Sequence, residues 1–342
     1  MNDAGRIKSV NPGAGIPGGE VAIECADFRT GFLRSCRAWI DDLPAHLVAV
    51  SSRRVLAIVP ETDTGGEVTV ALESNGERGE PAGFIVGTKL AEDLHLVANP
   101  AFDPDDGSLY VTRSGSRGQS YPVSLFRIDP DGNLTDFSGD ITNPTGIAFD
   151  RSGQMFVTSR MDGNVYRITP FKEAVVFAGN LGVATGLAFD AEGRLYVGDR
   201  TGTIHRISGI GEVTAWAQLE PSVSAYHLAF GPDDALYVTG PTVASSEAVM
   251  RIERDGRASL FYRGLGRPHG LAFDREGYLY VAASLRGRRG IVRITPNGDD
   301  AELFVAGMNV VGLAFGPGGN MVVATNEAVY SLPLGIRGTL PG

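Results

Sequence analysis

From about residue 90 onward the chain alternates short apolar runs with glycine- and aspartate-rich turns, and one phrase recurs through it. The phrase is a small residue or glycine, an aliphatic residue, Ala, Phe and then Asp or Gly. Its phenylalanines are Phe102, Phe149, Phe189, Phe230, Phe273 and Phe315, separated by 47, 40, 41, 43 and 42 residues. A period near forty built from short strands predicts a β-propeller, whose repeat is a four-stranded blade unable to bury its faces alone. One full repeat predicts strands at Gly146 to Phe149, Met155 to Thr158, Val165 to Ile168 and Ala174 to Phe177. The final repeat supplies Leu313 to Phe315, Met321 to Ala324 and Val329 to Leu332, then runs out without a fourth strand. Thr88 to Ala91 aligns with fourth-strand segments such as Phe177-Ala178 and Phe304-Val305. The expectation is an all-β, six-bladed propeller over 88–342, with Thr88 to Ala91 closing the last blade and removing an open edge.

Residues 8–86 break that rhythm. Strands are predicted at Val21 to Glu24, Cys36 to Ile40, Leu47 to Val50, Val55 to Val59, Val68 to Leu72 and Gly83 to Val86, a spacing that suits a small immunoglobulin-like β-sandwich over 1–87. His46 reads as a solvated residue in a turn.

Composition narrows the function classes. With 43% hydrophobic residues and 46 glycines among 342, the chain reads as folded and turn-rich. No apolar run is long enough to span a membrane and Met1 to Gly15 lacks the apolar core of a secretory signal, so the expected address is cytoplasmic, with an exported form left open. A net charge of −10 disfavours a nucleic-acid partner. Cys25 and Cys36 both precede the propeller; they read as buried thiols, a single disulfide being the alternative.

Strand order separates the charges. Turns from first to second strand are acidic, with Asp103, Asp105, Asp106, Asp150, Asp190, Glu192, Asp233, Asp234, Asp274 and Glu276; this end is called lower. The upper loops carry Arg113, Arg117, Arg160, Arg200, Arg267, Arg286, Arg288 and Arg289. Such a rim predicts an anion-attracting mouth despite the net charge, left uncovered by a sandwich that enters from below. Arg127, Arg167, Arg206, Arg251 and Arg293 recur on the third strand and are expected to be structural, paired with Asp103, Asp150, Asp190 and Asp274. Gly107, Gly153, Gly193 and Gly277 close tight turns rather than calcium loops.

Breaks in the repeat nominate a site. Three residues before each Phe, where other repeats have Gly146, Gly186, Gly270 and Gly312, stand Asn99 and His227; one position earlier, Tyr226 and His269 replace Thr145, Thr185 and Val311. Innermost strands line the channel, so Asn99, Arg113, Asn143, Arg160, Asp199, Arg200, Tyr226, His227, His269 and Asn326 form the candidate mouth. His227 and His269 are the candidate ligands of a divalent ion such as calcium, zinc or manganese, with His95 as a weaker third, although zinc sites usually draw on three or four protein ligands. His205 occupies a packing position. Neither a Gly-x-Ser-x-Gly elbow nor a phosphate-binding Gly-x-x-x-x-Gly-Lys occurs, and no catalytic residue is assigned.

Pro144-Thr145-Gly146-Ile147-Ala148-Phe149-Asp150 and Pro268-His269-Gly270-Leu271-Ala272-Phe273-Asp274, the latter followed by Leu279-Tyr280-Val281, resemble NHL repeats. The resemblance extends to the gluconolactonase and senescence-marker group of TolB-like six-bladed propellers, which implies a divalent cation and lactone hydrolysis. That group's first-blade Glu-Gly-Pro-x-Trp, whose glutamate is a metal ligand, is here Ala98-Asn99-Pro100-Ala101-Phe102, and its Pro-Asn-Gly ligand motif becomes Pro144-Thr145-Gly146 or Pro268-His269-Gly270. The N-terminal segment resembles the IPT/TIG domain through Val10-Asn11-Pro12-Gly13, Gly18-Gly19-Glu20-Val21, Ala26-Asp27-Phe28, Leu43-Pro44-Ala45 and Ile58-Val59-Pro60, which implies an interaction or spacer module. The leading expectation is a propeller that binds a small anion or a protein segment at its upper mouth. The alternatives are a metal-dependent lactone or ester hydrolase, and a scaffold.

Overall fold

The computed structural model describes residues 4–30, 35–62, 64–115, 119, 121–138, 140–242 and 247–339, and among them the protein is all β, with no α-helix. None of the described residues therefore forms a helix long and apolar enough to cross a membrane. Five four-stranded antiparallel sheets follow the repeat. In the second of these the strands are Pro144–Phe149, Met155–Ser159, Asn164–Ile168 and Ala174–Ala178, with Phe149 opposite Met155 and Phe156 opposite Arg167. The last sheet joins Val310–Phe315, Met321–Thr325 and Val329–Leu332 to Thr88–Ala91, whose Thr88 lies opposite Ser331. Leu271–Phe273, Leu279–Leu285, Arg288–Ile294 and Ala301–Ala306 form a further meander of the same hand-to-hand order. The first strands of successive repeats touch in chain order, and Val310–Phe315 returns to Ala101–Phe102, giving a propeller arrangement.

The recurrent Phe has a definite task. In five repeats the aromatic residue on a second strand meets an aromatic on the fourth strand of its own repeat and the phrase Phe of the next, edge to face in every pair but the tilted Tyr110–Phe149. Tyr110 packs on Phe137 and Phe149, Phe156 on Phe177 and Phe189, Tyr196 on Trp216 and Phe230, Tyr237 on Phe261 and Phe273, and Tyr280 on Phe304 and Phe315. Such pairs contribute about 0.5–1.5 kcal/mol each beyond the area they bury. The last sheet has Val322 at that position, and its junction with the first is a mainly aliphatic cluster in which Val322, Ala324 and Val329 meet Leu109, Val111, Ile128 and Phe126.

The repeated aspartates are turn caps, which corrects the expected pairing with the third-strand arginines. Asp150 Oδ1 accepts the Ser152 and Gln154 amides, Asp190 Oδ1 those of Glu192 and Arg194, and Asp274 Oδ1 those of Glu276 and Tyr278. The arginines take other carboxylates: Arg127 pairs with Asp106 at 2.9 Å, Arg251 with Asp233 at 2.7 Å, and Arg293 with Glu302. One oxygen of each turn Asp is taken by local amides, and where the other is taken too it goes to a neighbour other than the third-strand arginine, Arg194 at Asp190 and the Tyr280 hydroxyl at Asp274.

N-terminal strands Arg6–Asn11, Glu20–Ala26, Cys36–Ile40, Leu43–Val50, Arg54–Ile58, Gly66–Ser74 and Ala82–Val86 enclose one apolar core that includes Ile23, Phe28, Ile40, Val55, Leu72 and Phe84. His46 is exposed, on a strand opposite Ile58 rather than in a turn. Cys25 and Cys36 are buried free thiols, and burial, with the neighbouring Glu24 charge second, pushes the Cys25 thiol up to about 11.

This segment is joined to the propeller as continuous sheet. Ala14–Gly15 pairs in parallel with Ala82–Val86 on one side and, through Gly15, with Ala306 on the other, and the Ile16 amide donates to the Ala306 carbonyl at 2.9 Å. Arg288 does not belong to the open rim. Its guanidinium donates to the carbonyls of Asn11 at 2.6 Å and Glu20 at 3.1 Å, because the N-terminal strands lie against the outer edge of the Leu271–Ala306 meander and reach its upper loops.

Candidate functional site

The upper ends of the inner strands are laced together by main-chain carbonyls one repeat away. Thr158 Oγ1 donates to the Thr185 carbonyl, and Thr239 Oγ1 to that of His269; the Gly186 amide donates to the Tyr226 carbonyl at 2.8 Å, and the Gly270 amide to that of Val311 at 3.0 Å. Backbones approach this closely only where the position three before Phe is small. Asn99 departs from the pattern as a ring fastener: its Nδ2 donates to the Leu271 carbonyl at 2.8 Å and its Oδ1 accepts the Leu313 amide at 3.0 Å. Gly270 makes room for it, since a Cβ there would stand 1.8 Å from Asn99 Oδ1. Both ends of the Asn99 amide are thus committed to the wall of the channel.

The other candidates gather in three groups. In the first, Asn143 Oδ1 accepts the Gly115 amide at 2.7 Å and Arg160 Nη2 donates to the Gly115 carbonyl at 2.6 Å, so the loop after Arg113 is held by the next repeat. Burial, followed by the Arg200 charge, pulls the half-buried Arg160 below the ordinary guanidinium range. Arg113 lies over the Tyr121 ring at 4.3 Å, and its Nε is buried with no acceptor among the described residues. Arg117 lies outside the described residues. In the second group, Asp199 Oδ1 accepts the Val183 amide at 2.9 Å and its Oδ2 the Thr201 hydroxyl, while the Tyr226 hydroxyl donates to the Glu220 carbonyl. Burial, then the charges of Glu220 and Asp199, push that phenol up to about 12.

The third group is the histidine pair. His227 fills the slot that glycine occupies in other repeats and its ring meets that of His269 edge to face, centroids 5.8 Å apart. His227 is 3% exposed and its Nε2 has no hydrogen-bond partner. Burial, with His269 second, pushes its pKa down to about 3, and burial and then Arg267 lower that of His269. Asn326 stands apart, tied through its backbone to Asn309 and Leu96. His95 is exposed.

The donor set does not fit a divalent ion. Among the described residues no group of three His, Cys, Asp or Glu side chains converges, and Asp199 is spent on the Val183 and Thr201 amides and the Thr201 hydroxyl. His205, on the third strand opposite Val197, contributes nothing to the pair and its Nδ1 is buried without a partner.

The arginines of the two ends differ in their partners. Five lower arginines are ion-paired, Arg127, Arg251 and Arg293 as above, Arg194 with Asp190 at 2.6 Å and Arg254 with Asp234 at 2.7 Å, whereas Arg167 and Arg206 form no ion pair among the described residues. Among the described residues Arg113, Arg160 and Arg200 form no ion pair, although the first two are half-buried. Sequence reasoning found these arginines but could not see which had been neutralised. It missed Thr158 and Thr239, whose recurrence at the end of the second strand was the available signal.

No protein-family model matches the chain, and no curated protein matches it. Solved structures do match in fold. A gluconolactonase from Xanthomonas campestris is 16% identical with a TM-score of 0.61, covering 72% of this chain and 88% of its own. Regucalcin, a calcium-binding protein from Agrobacterium tumefaciens, is 18% identical with a TM-score of 0.61, covering 75% and 96%. An auxiliary nutrient binding protein from Bacteroides ovatus is 15% identical with a TM-score of 0.56, covering 95% and 97%. At these identities the likeness is one of fold, and what it establishes is the propeller.

Proposed function

We propose that the protein is a six-bladed propeller carrying an immunoglobulin-like N-terminal domain, and that it captures a small anionic ligand at the upper mouth around Arg160 and Arg200. The blade that brings the five four-stranded sheets to six in this reading is the Leu271–Ala306 meander, fifth along the chain, which repeats the aromatic clamp through Tyr280, Phe304 and Phe315. The domains divide as 1–87 and 88–342, with Thr88–Ala91 lending its strand to the last blade. A nutrient-binding structure that covers nearly the whole chain, N-terminal part included, supports both the division and a binding role.

The observation that carries the reading is the half-buried Arg160 guanidinium, pulled down by burial and then by the Arg200 charge, with no ion pair to either arginine among the described residues. Two neighbouring guanidinium groups, one of them half-buried, repel each other, and a bound anion relieves that cost through charge-assisted hydrogen bonds. The alternative, a metal-dependent hydrolase of the gluconolactonase kind, has neighbours in fold, but among the described residues no group of three His, Cys, Asp or Glu side chains converges to hold its metal. Inorganic phosphate and citrate, titrated by calorimetry at several salt concentrations, test the proposal. Arg160→Gln with Arg200→Gln should weaken binding by about tenfold or more and flatten its salt dependence. Equal affinity in the wild type and the double variant would sink it.

A further inference from the structure

A cavity of about 210 Å3 opens between the third and fourth sheets. Tyr226, Val238 and Ala248 are among its buried lining, and Leu260 and Arg263 stand at its exposed rim. Its wall is rigid. The Tyr226 hydroxyl is held by the Glu220 carbonyl, a Cβ at Gly240 would lie 2.9 Å from Tyr226 Cδ1, and the connection before Tyr226 hangs from the Arg200 carbonyl through the Ser222 amide at 3.0 Å. The volume is below the usual 300–1,000 Å3 of drug-sized sites, yet above the ~150 Å3 that accommodates a benzene ring. The ligand that fits is one ring or a branched aliphatic group with a short tail.

Chemistry at the rim selects the tail. Arg263 ends the outer strand Ala258–Arg263 opposite Ala248 and forms no ion pair among the described residues. Glu220, on the facing wall, is exposed and disfavours a second negative group. We propose that this fissure binds a small amphipathic monocarboxylate, its apolar body against Tyr226 and Ala248 and its carboxylate on Arg263. Neither Arg160 nor Arg200 lines it, so the site is independent of the mouth.

The test uses 3-phenylpropanoate and its uncharged amide as probes, titrated into the full chain by calorimetry. The acid should bind at about millimolar or tighter, as its size allows, and the amide about tenfold more weakly. Arg263→Gln should bring the acid to the level of the amide, and Ala248→Leu, which fills the floor, should abolish binding of both. Should Ala248→Leu fail to fold, Leu260→Trp at the exposed rim blocks entry instead, with circular dichroism confirming the fold. The Arg160→Gln, Arg200→Gln variant should bind the acid as the wild type does. Absence of binding at about tenfold above that concentration, binding that survives both Arg263→Gln and the blocking variant, or loss in the mouth variant would each overturn the proposal.

Discussion

A histidine in a glycine slot is the sharpest single-residue departure in the propeller, and it makes a pH signature. The His227 and His269 rings are held neutral by burial, so their folded pKa values lie below the ordinary imidazole value, about 3 for His227. A depressed basic group favours the folded state above the unfolded pKa near 6.5 and opposes it as pH falls toward the folded one, because the unfolded chain then binds the extra proton. Relative to His227→Gln, the wild type should therefore lose on the order of 1.4 kcal/mol of stability for each pH unit below about 6.5. Urea unfolding of both proteins between pH 7 and pH 4 checks it; parallel profiles would contradict the neutral pair. Asn99 and His227 were equally visible as repeat-breakers, yet one is a fastener and the other a buried ring. The difference lies in the partner of Asn99, the Leu271 carbonyl, 172 residues away in the chain.

Among elements, the joint between the N-terminal strands and the Leu271–Ala306 meander rests on Arg288. Burial, only partly offset by Glu20, lowers its pKa, and its guanidinium is spent on the Asn11 and Glu20 carbonyls. Arg288→Ala should destabilise the joint by about 1–3 kcal/mol, as expected for lost hydrogen bonds to a charged group. Hydrogen exchange reads this directly: the Ile16 amide, which donates across the joint to the Ala306 carbonyl, should exchange faster while those of the Phe149 strand do not. Uniform protection would mean that Arg288 is dispensable there. Strand positions were legible because alternation and turns are local; Leu43–Val50 and the first strand, Arg6–Asn11, extend beyond or escape that pattern because both are largely exposed. Ion-pair partners were not legible, since a periodic arginine and a periodic aspartate need only share a repeat, not a contact.

At the scale of the whole molecule, Thr88–Ala91 ties the beginning of the propeller to its end through Val329–Leu332. A chain lacking residues 1–91 would leave that edge open and uncover Tyr330 and Leu332, which pack with Ile16. Open edges of this kind recruit other chains, so the truncated chain should elute as aggregate in size-exclusion chromatography where the full chain elutes as a discrete species. A discrete, cooperatively unfolding truncated product would show that the closing strand is dispensable.

The sequence by itself determined the all-β class, the forty-residue period and the segment that pairs with the last sheet, because strand alternation, turn glycines and the phrase Phe are local and repeated. Tertiary structure decided which polar groups remain free for a ligand. Arg288 is consumed by carbonyls of the N-terminal strands and Asn99 by one from another repeat, Arg127 and Arg251 by carboxylates, and Arg160, Arg200 and Arg263 are left without an ion pair among the described residues. The reason is physical: a strand's pattern records which face is buried, whereas neutralisation of a charge depends on neighbours that only ring closure brings within reach.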